Sequence, residues 1–378
     1  MTQQLSEQEK IDWIRLARSE NVGPVTFRTL LALYHTPTKA LPQLQELAQK
    51  GGSKRKITIC SEREAEKELA ATEKLGGRII ASCEEDYPQI LKTLSDAPPI
   101  ITILGQIGLL SKPALAIVGT RNASFNGKNL TRQLSFAVSQ KNYAIISGMA
   151  RGIDSAAHEG ALEGKGGTIA VLGTGIDVVY PPENEELYQR IKNEGLLISE
   201  LPLGTQPFVG HFPRRNRLIS GLSQGVLVIE AHTKSGSLIT AQYAAEQGRD
   251  VYAVPGFPLD PRAQGPNRLL KDGAILVQNE EDIFAVLEHT SPFALKDLFQ
   301  QQSAPIVIDT KPEPTDMEAA TEQILENLGA EAIEIDHLIR ETHLTASVVH
   351  IVLMQLELAG KVERYPGNRV SLVMGKQI

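Results

Sequence analysis

The sequence predicts an α/β protein: a doubly wound, mostly parallel sheet held between an N-terminal helical domain and a C-terminal winged helix. Three observations lead there. Short apolar runs rich in Val and Ile alternate with helical stretches between residues 114 and 277. Residues 8–80 carry an apolar period of three to four instead. The last sixty or so residues give three helical patterns followed by two short strands around "YPGNR". A chain of 378 residues is also too long for one ordinary core.

The N-terminal region, 1–81, reads as helical. In "DWIRLARSENVGPVTFRTLLALY" the period breaks at Gly23-Pro24, giving helix, glycine turn and helix. That is the form of a helix-hairpin-helix or SAM-like module, whose turn amides can hold a phosphate, or else of a plain packing hairpin. "KGGSKRK" (50–56) is a basic loop. Residues 82–111, with Pro88, Pro98, Pro99 and one short apolar strand, read as a connector leading into the core.

The core spans 82–290. Its strands are "ALAIVG" (114–119), "YAIIS" (143–147), "TIAVLG" (168–173), "LLISE" (196–200), "VLVIE" (226–230), "DVYAV" (250–254) and "AILV" (274–277). Continuous apolar strands alternating with helices mean a parallel sheet covered on both faces, hence a Rossmann-like domain. Residues 291–316, "SAPIVIDTKPEPTD" among them, are proline-rich and read as a linker. Residues 317–378 form the winged helix. They carry Arg340, Lys361, Arg364, Arg369 and Lys376 against nine acidic side chains, and "TASVVHIVLMQLEL" holds no Lys or Arg. Readers of duplex DNA present a basic recognition helix, so a protein-contact or regulatory role is expected here.

Composition excludes several classes. The net charge is -7, hydrophobic content is 42% and charged content 22%, all ordinary for a soluble globular chain. No apolar run approaches the roughly 20 residues that span a bilayer. The polar opening "MTQQLSEQEKIDWIRLARSE" does not read as a secretory signal. Cys60 and Cys83 have no metal spacing, and so few thiols argue against a disulfide. A cytoplasmic protein is expected.

Ligands of open α/β sheets bind beyond the carboxyl ends of the strands. Those ends carry "GTRNAS" (119–124), "SGMARGIDSAAH" (147–158), "GTGID" (173–177) and "AHTKSGSLITA" (231–241). Glycines admit a ligand to the backbone, and the following helices offer free amides. Each loop alone is an ordinary βα turn. Together, with Arg121, Arg151 and Lys234, they suggest an anion site. The G-x-G-x-x-G spacing and a Walker A motif are both missing, so no nucleotide cofactor is expected. Asp154 reads as a helix cap, with catalysis by Asp154 and His158 the weaker alternative. Glu230 beside Lys234 is either a base or half of an ion pair. From His211 to Lys271, eight basic residues face four acidic ones, and "FPRRNR" packs Arg214, Arg215 and Arg217 into four positions. Such an edge suits a phosphodiester chain, with Phe208 and Phe212 able to stack bases. Core packing is the alternative for Phe208.

The motifs "AIVGTRNAS", "IISGMARGIDSAAHEGAL", "TIAVLGTGIDVVYPPENEEL", "FPRRNRLISGLSQGVLVIEA" and "SGSLITAQYAAEQGRDVYAVPG", in that order, resemble the DNA-processing protein A family (DprA, also called Smf). The resemblance runs densely over residues 82–288, and the flanking modules fit the family's three-domain form. It implies a non-catalytic core that binds single-stranded DNA, forms a homodimer, loads the RecA recombinase during natural transformation and shields incoming strands from nucleases. It implies DNA contacts at Arg121, at Ser147, Gly148 and Arg151, at Arg214, Asn216 and Arg217, and at Lys234, Ser235, Gly236 and Ser237. Two other readings stay open: a nucleotide-processing hydrolase using Glu230 as base, and a transcription regulator acting through residues 317–378.

Overall fold

The computed structural model describes residues 4–287 and 316–373. Helix α1 (Glu7–Arg18) opens with a capping box in which Ser6 and Glu9 satisfy each other's backbone amides. Positive φ at Asn21 and the Gly23-Pro24 pair turn the chain into α2 (Pro24–Tyr34), with proline in the first turn where no amide is missed. Helices α3 (Pro37–Ala40) and α4 (Leu44–Lys50) follow. A second capping box, Ser61 with Glu64, starts α5 (Glu62–Lys74). Trp13 stacks on Phe27 at 5.0 Å between centroids, within a core that includes Ile14, Leu16, Leu30, Leu44 and Leu69.

The central sheet has nine strands in the order β1-β2-β6-β5-β4-β3-β7-β8-β9. They are β1 (Gly77–Ala81), β2 (Ile100–Gly105), β3 (Ala114–Val118), β4 (Ala144–Ser147), β5 (Thr168–Val171), β6 (Leu196–Ser199), β7 (Gly225–Val228), β8 (Asp250–Ala253) and β9 (Ile275–Leu276). Strands β3 to β9 pair in parallel, as their apolar runs predict. The region 77–105 departs from the expected organisation. Strand β1 pairs antiparallel with β2, and β2 antiparallel with β6. The sheet therefore begins at Gly77, inside the segment assigned to the helical domain, and the supposed connector supplies a sheet strand.

Both faces are covered. One carries α7 (Phe125–Gln140), α8 (Ile153–Leu162) and α13 (Glu280–Leu287), which bury Leu134, Val138, Ile153, Ala157 and Ile283 against Leu115, Ile117 and Leu227. The other carries α6 (Gln89–Lys92), α10 (His211–Gly221) and α11 (Gly236–Glu246), which bury Leu91, Leu218, Leu222 and Ala241 against Ala116, Ile146 and Val226. Helix α9 (Glu185–Glu194) packs near β5 and β6, and α12 (Gln264–Lys271) near β8. The strand order reverses between β3 and β7, so a crevice opens there at the carboxyl edge.

The C-terminal unit is a winged helix: α14 (Met317–Glu326), β10 (Ile333–Glu334), α15 (Ile335–Thr342), α16 (Ala346–Leu358), β11 (Val362–Tyr365) and β12 (Arg369–Leu372). Of the expected linker only Asp316 is described, and it caps α14. Met354 and Leu358 of α16 are wholly buried in the N-terminal core. Asn21 donates to the carbonyl of Leu358 at 3.1 Å, and the Thr26 hydroxyl donates to Glu357. Among the described residues no helix is long and apolar enough to cross a membrane.

Trp13 is the only tryptophan and is buried, so its emission reports the N-terminal core. Phe27→Ala is expected to cost about 3–5 kcal/mol. The check is the midpoint of the Trp13 emission shift in urea, which should move well below that of the parent.

Candidate nucleic-acid interface

The loop after β3 is fixed first. Thr120 donates its amide to the carbonyl of Glu230 at 2.6 Å. The Glu230 carboxylate accepts from the Ser124 amide at 2.8 Å and from its hydroxyl at 2.5 Å. Ser124 in turn caps α7. Both Glu230 oxygens thus help clamp the β3 loop to the end of β7 across the crevice. Glu230 does not pair with Lys234.

The loop after β4 is held from two sides. Asp154, buried in the first turn of α8, accepts from the amides of Gly148 at 3.1 Å and Ala150 at 3.3 Å. It therefore ties the loop; Gly152 occupies the cap position. Gly152 has φ +82, and a Cβ there would lie 2.4 Å from the carbonyl of Thr120, so only glycine fits. From the other side the Arg215 guanidinium donates to the carbonyls of Gly148 (2.6 Å) and Val171. A Cβ on Gly148 would strike that guanidinium at 2.7 Å. Burial, with Asp154 opposing it, pushes Arg215 down to about 10. Burial likewise raises Asp154 above the ordinary carboxylate range, against Arg215.

His158 bonds not to Asp154 but to Thr168, at 2.7 Å through Nδ1. Thr168 spends its own proton on the carbonyl of Ile145, so His158 Nδ1 must carry the donor hydrogen. Nε2 is left buried and unpartnered. Burial, aided by Arg215, lowers His158 to about 3.

The expected contact residues divide sharply. Ser147 is fully buried, with its hydroxyl on the carbonyl of Ile117 at 2.6 Å. Arg217 is 4% exposed and lies in the second turn of α10, not at its start. Its guanidinium bonds Glu200 at 2.5 Å and the carbonyl of Asp96 at 2.8 Å. Burial works against its charge, but Glu200 and Asp96 outweigh it and hold Arg217 above the usual value. Asn216 is buried between Arg215 and the carbonyl of Gly236. Ser147, Asn216 and Arg217 therefore hold the edge together. Gly148 shapes the loop while its amide is committed to Asp154.

Arg121, Arg151, Arg214 and Lys234 remain outward. Arg121 and Lys234 form no hydrogen bond or ion pair among the described residues. Arg151 reaches only Glu183, at 3.4 Å, and Arg214 bonds Glu363 at 2.5 Å. Ser235 caps α11 and bonds Ser237, while Gly236 faces open space. Of the eight basic residues counted between His211 and Lys271, only Lys234 and Lys271 lack a partner among the described residues. Arg262 pairs with Asp260, Arg268 with Asp272, and Arg249 bonds the carbonyl of Ile90. The surplus of charge read from the sequence is largely spent on the fold.

Aromatic rings complete the edge. The Arg121 guanidinium lies over the Phe212 ring at 5.6 Å, and Phe212 meets Tyr180 at 5.4 Å. With Gly148, Arg151, Gly173 and Arg215 they line a concavity of about 30 Å³. Phe208 is 64% exposed, which settles its place against the core reading. Phe125 after β3 and Phe257 after β8 are exposed on the same edge. The sequence reading missed Phe125, Tyr180 and Phe257. Their signal was position alone: each follows the carboxyl end of a parallel strand.

A doubly wound sheet with outward cations and rings on its carboxyl edge, flanked by a helical hairpin and a winged helix, defines a three-domain Rossmann-like class. Residues 78–288 match the family of DNA recombination-mediator protein A, residues 7–71 the DprA-like N-terminal HHH domain, and residues 309–368 the DprA winged helix domain. The chain belongs to the DprA/Smf family. It is 33% identical to protein Smf of Synechocystis over 97% of this chain and 99% of that one. It is 44% identical to DNA processing protein DprA of Streptococcus pneumoniae over 54% of this chain and 72% of that one. The crystal structure of the S. pneumoniae protein superposes with a TM-score of 0.62 at 33% identity, covering 75% of this chain and 99% of that one. DNA processing protein A of Helicobacter pylori, whose structure is described as showing a single-stranded DNA binding mode, gives 0.52 at 31% identity, covering 56% and 96%.

Arg217→Ala breaks a buried ion pair and is expected to cost about 3–5 kcal/mol, whereas Arg121→Ala should leave Tm within a degree or two. Differential scanning calorimetry of the two variants separates a tie from an outward cation. Unfolded His158 binds a proton near pH 6.5, while the folded form refuses it down to about 3. Its stabilising share is present above pH 6.5 and is lost as pH falls through that window. Urea midpoints at neutral and mildly acid pH should therefore fall more steeply for the parent than for His158→Gln.

Proposed function

We propose that the carboxyl edge of the sheet binds single-stranded DNA. Arg121, Arg151, Arg214 and Lys234 take backbone phosphates, helped by the open turn at Ser235, Gly236 and Ser237. Phe212, Tyr180 and Phe208 offer ring faces to bases, and Phe125 and Phe257 extend the track along the edge. The observation that carries this reading is the Arg121–Phe212–Tyr180 stack, in which an unpaired cation and two rings share one concavity. Interleaved cations and rings suit a sequence-tolerant single strand. The single-strand binding mode described for the H. pylori relative supports it.

Within that reading the protein is a mediator rather than an enzyme. It loads RecA onto incoming strands during natural transformation, protects them from nucleases, and acts in the cytoplasm as a homodimer joined through the core. The hydrolase alternative has less support, because its base Glu230 is tied to Ser124 as part of the loop's structure. A transcription regulator acting through the winged helix loses its reader, because the second helix of the helix-turn-helix, which enters the groove in DNA readers, is buried on the N-terminal domain.

Anisotropy of a labelled oligothymidylate tests the binding. Four phosphate contacts on a single strand give a log–log salt slope of about -3. Arg121→Ala should weaken binding by about 1–3 kcal/mol and flatten the slope by about 0.7. A variant that binds like the parent across the salt series would place the strand elsewhere.

A further inference from the structure

The acidic winged helix sits where it can compete with a polynucleotide. Helix α16 is buried by Met354 and Leu358 against the N-terminal core, and the carbonyl of Gln355 presses on Gly51. Two carboxylates flank this contact. Glu357 takes the Thr26 hydroxyl in the first turn of α2, so close to the hairpin that a Cβ on Gly23 would lie 2.8 Å from its Oε1. Glu363, on the wing strand, takes Nη2 of Arg214 at 2.5 Å. Arg214 belongs to the first turn of α10, two residues after Phe212. The wing thus places a carboxylate on one of the four outward cations of the sheet edge, as a phosphate would be placed.

The docked contact is built to come apart. Its apolar part rests on Met354 and Leu358. Docking removes the Glu357–Arg364 pair from water, and a buried pair gains little over its hydrated form. Nη1 and Nη2 of Arg364, and Nδ1 of His350 on α16, are buried without a partner. Such groups are costly to leave unpaired and recover their hydration on release. The Arg214–Glu363 pair is half exposed, so it is weak and screened by salt.

We propose that the winged helix is an intramolecular competitor for DNA: Glu363 holds Arg214 until a phosphate displaces it, and strand binding is coupled to release of α16 from the N-terminal domain. This rests on the single-strand reading above. Linkage makes the coupling reciprocal, so weakening the latch must strengthen DNA binding.

The test uses the full chain and oligothymidylate at low salt. Glu363→Gln should raise affinity about five-fold in the parent and leave it unchanged in an Arg214→Ala background. Hydrogen exchange of residues 346–358 in the unmodified chain should speed up when oligothymidylate is added. If the chain binds the oligonucleotide but exchange in α16 stays constant and Glu363→Gln gains nothing, the latch is wrong and the single-strand reading stands. If neither the parent nor Glu363→Gln binds, the single-strand reading falls and the latch with it.

Discussion

Arg217 is the tie on which the edge depends. One buried guanidinium joins α10 to the segment before β2 through Asp96 and to the end of β6 through Glu200. The carbonyl of Glu200 accepts from Arg18 of α1 at 2.9 Å, so the same junction fastens the N-terminal domain to the core. Removing one partner from such a cluster leaves an uncompensated buried charge, which is why these residues act together. Arg215, two positions earlier, performs the matching task between β4 and β5. With both in place, α10 is locked and Phe212 and Arg214 at its start are aimed outward.

The crevice between β3 and β7 shows the same economy. Polar groups that could have served chemistry are committed to shape: Glu230 to Ser124, Asp154 to the amides of Gly148 and Ala150, His158 to Thr168. The side chains left outward on this edge include Arg121, Lys234, Phe125, Phe208 and Phe257.

Much of the fold could be read from the sequence because the parallel strands are uninterrupted apolar runs, and continuous burial on both faces leaves no other reading. Strand β1 was lost for the opposite reason: "GRIIA" is short and follows directly on a strong helical period, so nothing local announces its pairing with β2. The site was legible as a place more than as a set of side chains. "FPRRNR" draws attention by its charge, yet charge does not say which arginine is buried. Arg215 and Arg217 stand about 200° apart around α10 and are buried against different neighbours, one on the carbonyls of Gly148 and Val171 and the other on Asp96 and Glu200, a fact about docking that composition does not hold. The exposure of Phe125 and Phe257 escaped for the same reason.

The burial of Met354 and Leu358 in the N-terminal core has a consequence in time. Leu358 is made 342 residues after Leu16, so it leaves the ribosome long after the helices it packs on. At about 5–20 residues per second, that separation makes Leu16 and its neighbours wait roughly 17–68 s for Leu358. Through that interval the docking face of the N-terminal domain is open to water, to other nascent chains and to chaperones. The order of synthesis, as much as the final contacts, therefore decides what that face meets first.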